Sequence, residues 1–509
     1  MRLELESLGR PLRHWLGSLL IGLASVSDVA TAQPAHPFAE TGYFYLQNFG
    51  PEVYDAHGQN WSIAQGPDDL IYVANSDGVL EYDSVTWRLI RTPNRSPVRG
   101  LITGEEGRIF IGAVAELGYL APDSRGRMGY VSLVDRVAAG DRDFRDVWRI
   151  AKTSSGVYFR THQLLLRWDG AEMRTWRTET RFRRIASVRD VLYIHQKDIG
   201  LMRLDDETLS MVRGGAVFHD KRINGMVALG ESDVLVFTRE QGMFRCPGDR
   251  HREAGCMPFA PESAQLLTDL KPYHATRVFD GLIAVSTQAE GLAVFGSDGQ
   301  LLRLVNEAAG LRSFNAHYAR EDREGGLWLA LQSGVARIET GATLSHWDKT
   351  LGLVGGVQAV TRHQGHLYAA HDLGVSRLTP GTGGSPPRFL PTPGAPANCW
   401  TLLSTPQGLL AGCEDELVNL DQQRPIETVT EHDVLTIHHS RRDPARLYLG
   451  VSGGLEQLRL RNAKGLDAEH WVDAEHWVDA EQIVDIASRV YTIAEDDQGR
   501  LWLGTDREG

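Results

Sequence analysis

One pattern returns eleven times along this chain, and it leaves few folds open. Each copy runs as an apolar strand, a polar turn often carrying Asp and Gly, a short strand centred on an anchor, a Gly six to eight residues on, and a further strand. Clear copies occupy 61–83, 98–120, 314–339, 356–378 and 490–509. The anchors are Tyr72, Phe110, Tyr158, Tyr193, Val236, Ala284, Trp328, Tyr368, Leu410, Tyr448 and Trp502. From first to last they span 430 positions in ten intervals, a mean of 43. Val236, Ala284 and Leu410 are weak copies, and the Gly is missing after Tyr158 and Leu410. A period near 43 built from short strands fits one four-stranded propeller blade. Helical repeats of that length need apolar residues at i, i+3, i+4 and i+7, and these segments alternate or run apolar instead.

A single blade is a small twisted sheet that cannot bury both of its faces, so blades pack radially around an axis. The anchors then fill the space between neighbouring blades and are structural, while the Gly permits the sharp turn into the next strand. Eleven blades exceed the four to eight with which one ring closes. The expectation is an all-β chain of tandem β-propellers. A first ring of about seven blades covers 33–351, and a second, incomplete in this chain with about four, covers 352–509. The chain stops within a repeat, just after Leu501 to Asp506. A half ring leaves strand edges open, so the expectation is a fragment of a longer protein.

Hydrophobic residues make up 42% and charged residues 23%, which is globular composition and excludes a disordered chain. The 53 Lys+Arg against 66 Asp+Glu give a charge of −13 with no clustered basic face, which argues against nucleic acid as a partner. Arg2, Arg10 and Arg13, an apolar run from Trp15 to Val26, and Ala30-Thr31-Ala32 read as an export signal over 1–32. That run is too short to span hydrocarbon as a helix. The four cysteines fall in two close pairs. Cys399 and Cys413 mirror each other across the turn at Pro406-Gln407-Gly408, and Cys246 and Cys256 flank a polar loop. Mirrored positions on paired strands come close enough for a disulfide; four unpaired buried thiols are the other reading.

Two segments carry a resemblance to a known family. Residues 54–90 and 493–506 resemble the two-component regulator propeller repeat, most clearly at Gln59-Asn60-Trp61, at Gly78 to Asp83 with Trp87, and at Asp496 to Gly504. The likeness extends over most of 43–509, although the repeats at 147–168 and 398–420 lack the turn Gly. It implies the periplasmic sensor half of a membrane receptor of the hybrid histidine kinase or diguanylate cyclase type. Such proteins continue into a triple-tyrosine domain, one membrane helix and a cytoplasmic output. The resemblance thus implies periplasmic placement, membrane attachment only through a downstream helix, and a homodimer formed by downstream regions.

The first strand of each blade is expected innermost, with its starting residues at the mouth of the central channel. Counting back from the anchors gives Trp61, Arg99, Trp148, Arg183, Asn224, Tyr273 and His317 in the first ring, and Gln358, Trp400 and Tyr491 in the second. Aromatic faces beside guanidinium groups suit a sugar ring or an acidic glycan, by stacking and bidentate hydrogen bonding. The plainer account is that these are ordinary strand ends. His470 and His476 stand beside carboxylates in a twice-repeated DAEHWV hexad, which slippage duplication explains without a metal. Asp497 to Trp502 partly resembles the Asp-box turn of sialidase propellers, a structural feature. GxSxG, HExxH, the P-loop and the dinucleotide fingerprint are all missing. No catalytic residue, metal or cofactor is therefore assigned. The expected partner is an extracellular small molecule or oligosaccharide, and the rival reading is a secreted polysaccharide lyase or glycosidase.

Overall fold

The structure is a computed structural model that describes residues 37–249, 253–341, 344–426, 432–460, 477–483 and 486–507. The export segment, His470 and His476 lie outside the described residues. The rest is a succession of antiparallel sheets, ten of four strands and one of two.

Seven of these sheets form the first ring. Blades 1 to 6 take their strands in simple chain order and cover 60–90, 98–132, 149–177, 182–211, 223–259 and 272–305. Blade 7 draws three strands from 316–338 and its outermost from the other end of the ring, Leu46–Phe49. That strand pairs antiparallel with Gly334–Ile338, Leu46 opposite Ile338 and Phe49 opposite Val335. The first strand of each blade lies against that of the next, and the first strand of blade 7, Ala316–Glu321, returns to that of blade 1, Asn60–Gln65. Closure by a strand from the opposite end removes the free edges that a seven-sheet arc would expose.

Four sheets of a second series follow. Blades 8 to 10 cover 357–391, 399–426 and 434–483, and a two-stranded hairpin covers 490–505. By its composition the Pro/Gly-rich stretch 379–397 reads as a long inter-strand loop inside a blade. It instead contains the outer strand of blade 8, Arg388–Pro391. The loop before that strand docks on the first ring, where the Leu304 amide donates to the Gly384 carbonyl at 2.8 Å. Among the described residues no helix is long and apolar enough to cross a membrane.

The anchors sit in the second strand of each blade and pack as the repeat pattern requires. Tyr72, Ala64 and Ala74 of blade 1 share one apolar cluster with Leu101, Ile109 and Ile111 of blade 2. Phe49 and Trp328 of blade 7 share another with Ile63 and Val73 of blade 1. There the closing strand is clamped by a stacked pair, Phe49 on Trp328, 5.7 Å between centroids. The turn glycine is required at Gly78, whose φ is 148° and where a Cβ would stand 2.5 Å from the Ile90 carbonyl. No L side chain fits that conformation easily. Cys246 is joined to Cys256 and Cys399 to Cys413, and the latter two face each other across adjacent strands.

Candidate ligand-binding site

The inner strands share one irregularity, and it positions the site. In blades 1, 2, 4, 5, 6 and 7 the register slips by one residue near the strand start. The unmatched residue is Trp61, Arg99, Arg183, Asn224, Tyr273 and His317 in turn. A bulge of this kind places two successive residues opposite one and re-aims their side chains. In blade 3 Trp148 takes the same place, directly before the strand Arg149–Thr153. The second series slips at Gln358, Trp400 and Tyr491.

The bulged residues of the first ring meet one another. Trp61 stacks on His317 at 4.6 Å with the planes 8° apart, and meets Trp148 edge-on at 6.1 Å. The Arg99 guanidinium lies 4.5 Å from the Trp61 ring and 4.9 Å from the Trp148 ring, and it pairs with Asp146 at 3.2 Å. Tyr273 tilts against His317 at 5.1 Å. His317 Nδ1 lies 2.8 Å from the Asn60 carbonyl, and burial pushes its pKa down to about 4, leaving a neutral ring at pH 7. Arg183 turns away and donates to the Lys221 carbonyl at 3.2 Å. The aromatic and cationic faces expected to await a sugar are thus largely occupied by each other.

The residues one step further along each strand do something different. Ser62, Gly100, Arg149, Arg184, Gly225, His274 and Tyr318, one from each blade, all line a single cavity of about 350 Å³. Among the seven residues named from sequence, Asn224 is the one on its wall. Lys152, Arg189 and Arg277 line it toward the far ends of the strands, and among the described residues no Asp or Glu does. The Arg149 and Arg184 guanidinium groups both lie over the Tyr273 ring, at 5.5 and 5.8 Å, and Arg149 also faces Tyr318 at 5.8 Å. Arg184 is only 8% exposed and donates to the Tyr273 carbonyl. Burial and the neighbouring Arg149 charge hold its pKa well below the usual guanidinium range. His274 stacks on Tyr318 at 4.0 Å. Burial, then Arg149 and Arg184, lower its pKa strongly, so the imidazole is neutral. Behind the wall Arg160 is buried too, its pKa lowered to about 9 mainly by desolvation.

Sequence reasoning missed Arg149, Arg184, His274 and Tyr318 by one position each. Every one directly follows a residue named from the sequence; for Arg184, His274 and Tyr318 the offset is the bulge, and for Arg149 it is that Trp148 stands just before its strand.

Comparison with known proteins adds the repeat family. Residues 486–507 match the family model of the two component regulator propeller. The chain carries a two-component regulator propeller repeat. No curated protein matches the chain in sequence. Among solved structures the chain is similar to the extracellular domain assigned to a hybrid two component system, BT3049, of B. thetaiotaomicron, with a TM-score of 0.62 and 15% identity over 91% of this chain and 64% of that one. The extracellular domain of BT4673 from the same organism gives a TM-score of 0.45 at 13% identity, over 91% and 64%. A virginiamycin B lyase from Staphylococcus aureus gives 0.45 at 12%, over 58% of this chain and 99% of that one. The chain thus spans a little under two thirds of the first two structures. At these identities the first likeness speaks to fold: a tandem propeller.

Proposed function

We propose that the chain is the extracytoplasmic ligand-sensing region of a transmembrane signal-transduction receptor. Its ligand is a glycan or another small extracellular molecule, and its output is a cytoplasmic histidine kinase or diguanylate cyclase. The observation that carries this reading is the regulator propeller repeat at 486–507, set in a chain whose closed first ring encloses a cavity reached by all seven inner strands. A site to which every blade contributes is suited to sensing. A ligand held by several blades changes their relative preference, and only a difference in affinity between two arrangements can drive a signal. The two disulfides accord with an oxidising compartment outside the cytoplasm.

The enzyme reading meets an obstacle in the same cavity. Glycoside hydrolysis needs a pair of carboxylates flanking the bond, and the wall offers none. The test is calorimetric titration of the chain with a panel of oligosaccharides and small organic acids, followed by recovery of whatever binds. A sensor binds saturably and returns its ligand chemically unchanged. Recovery of a cleaved product would contradict the reading and favour a lyase.

A further inference from the structure

We infer that the first ring's channel takes a small ligand bearing an oxyanion group (a carboxylate, sulfate or phosphate) held between Arg149 and Arg184, with Asn224 and His274 completing its hydrogen bonds. This rests on the sensor reading and names the chemistry of its ligand.

The charge pattern of the wall is the first reason. Five cationic side chains, Arg149, Lys152, Arg184, Arg189 and Arg277, face the cavity with no carboxylate among its lining residues. Of the carboxylates near this group, Asp146 pairs with Arg99, and Asp190, whose charge acts on Lys152, accepts from Ser154. Arg189 and Arg277 are tied to carbonyls at Asp233 and Ala228, at 2.9 and 3.1 Å, and Arg184 gives one N–H to the Tyr273 carbonyl; Arg149 and Arg184 are the two guanidinium groups that share the Tyr273 ring at the wall. Burying a guanidinium without an anion is costly, and two facing the same ring repel each other besides. The chain instead offsets part of that cost with the π-faces of Tyr273 and Tyr318. Aromatic faces soften the penalty without accepting an in-plane N–H; Arg184 gives one to the Tyr273 carbonyl, and planar forks of this kind match an oxyanion bidentately.

The polar inventory of the site is the second reason. His274 Nδ1 and, just behind the wall, Arg160 Nε have no hydrogen-bond partner among the described residues, although both are shielded from solvent. A buried polar atom left without a partner is costly, and one on a cavity wall is within reach of a ligand that can satisfy it. A neutral imidazole beside two guanidinium groups serves an anionic ligand well, because it adds a hydrogen bond without a further desolvated charge. The cavity volume of about 350 Å³ sits at the lower end of small-molecule sites and suits a compact acid better than the middle of a polymer.

The experiment is a thermal-shift and calorimetric titration of the whole chain with sodium sulfate, inorganic phosphate, galacturonate and neutral galactose, each against sodium chloride of equal ionic strength. At least one oxyanion should stabilise the chain saturably beyond the chloride control. Whichever binds tightest identifies the group. Arg149→Gln and Arg184→Gln should each weaken that binding about tenfold or more. Unliganded Arg184→Gln should melt close to the parent, since relief of a buried charge without a carboxylate partner offsets the lost bond to the Tyr273 carbonyl. Arg149, being less buried, provides the test should Arg184→Gln not fold. If galactose binds and no oxyanion does, the inference is overturned while the sensor reading stands. Oxyanion binding that persists in both variants overturns the channel assignment. No response to any of the four overturns the inference and leaves the sensor reading to the oligosaccharide panel.

Discussion

Trp328 in blade 7 and Trp502 in the last hairpin occupy the same place in the same motif and end in opposite surroundings. Each stands six residues after an Asp that organises its turn. Asp322 accepts from the amides of Glu324 and Gly326 at 3.0 and 2.7 Å and from Trp328 Nε1 at 2.9 Å. Asp496 accepts from the amides of Gln498 and Arg500, both at 2.9 Å, and from Trp502 Nε1 at 3.4 Å. Gly325 and Gly499 have φ of 81° and 80°. Yet Trp328 is 3% exposed and Trp502 is 63% exposed. The motif makes the hairpin by local hydrogen bonding, whereas burial comes from the neighbouring blade. Blade 7 has one on either side, because Leu46–Phe49 closes the ring; no sheet follows the last hairpin among the described residues. The repeat therefore specifies a blade, and the ring specifies a core.

The contrast is sharpest in the anchors themselves. Trp328→Ala should destabilise the chain by about 3–5 kcal/mol, the range for truncating a buried aromatic. Trp502→Ala should change stability by less than about 1 kcal/mol in this chain, as surface substitutions do. Urea unfolding followed by circular dichroism measures both, and equal losses would break the comparison.

Acid should find the first ring next. Burial lowers the pKa values of His195 and His317 to about 4 each, against an ordinary value near 6.5. As pH falls, the unfolded chain takes up these protons first, so stability is full above about 6.5 and is lost progressively toward pH 4. The loss amounts to at most about 3 kcal/mol for each ring. Unfolding midpoints measured between pH 7 and 4 should decline, and the His195→Gln, His317→Gln double variant should flatten that decline.

Turn glycines give the smallest contrast. Gly78→Ala in blade 1 drives a Cβ against the Ile90 carbonyl, a backbone atom that cannot step aside, and should cost about 2 kcal/mol. Gly499→Ala in the last hairpin meets only the far end of the Arg442 side chain and should cost about 1 kcal/mol, the conformational penalty alone. Thermal melts of the two single variants suffice.

Much of this was legible in the sequence. A 43-residue period of short strands implies blades, and anchors placed between charged turns imply the packing that Tyr72, Tyr158 and Tyr193 show. What the sequence concealed was local backbone geometry. Alternation along a strand identifies which residues share a face, but a bulge adds one residue and moves the channel lining by one. Counting from the anchors lands on Arg183, Tyr273 and His317 where Arg184, His274 and Tyr318 line the cavity, and on Trp148, just before its strand, where Arg149 does. The turn of the last hairpin slipped likewise. The sequence pattern starts the motif at Asp497, whereas Asp496 accepts its hydrogen bonds, because two adjacent aspartates leave no compositional reason to choose. Nor can a list of strand ends reveal that Trp61, His317, Arg99 and Trp148 would stack on one another, since that depends on the diameter of a closed ring.

Hydrogen exchange of the whole chain, with and without the tightest-binding oxyanion, locates the bound anion in the fold. Added protection is expected in the inner strands of blades 3, 4 and 6, over 149–153, 182–188 and 272–277, and no change over 490–505. Protection confined to the second series, or absent from the first ring at saturating anion, would contradict that placement.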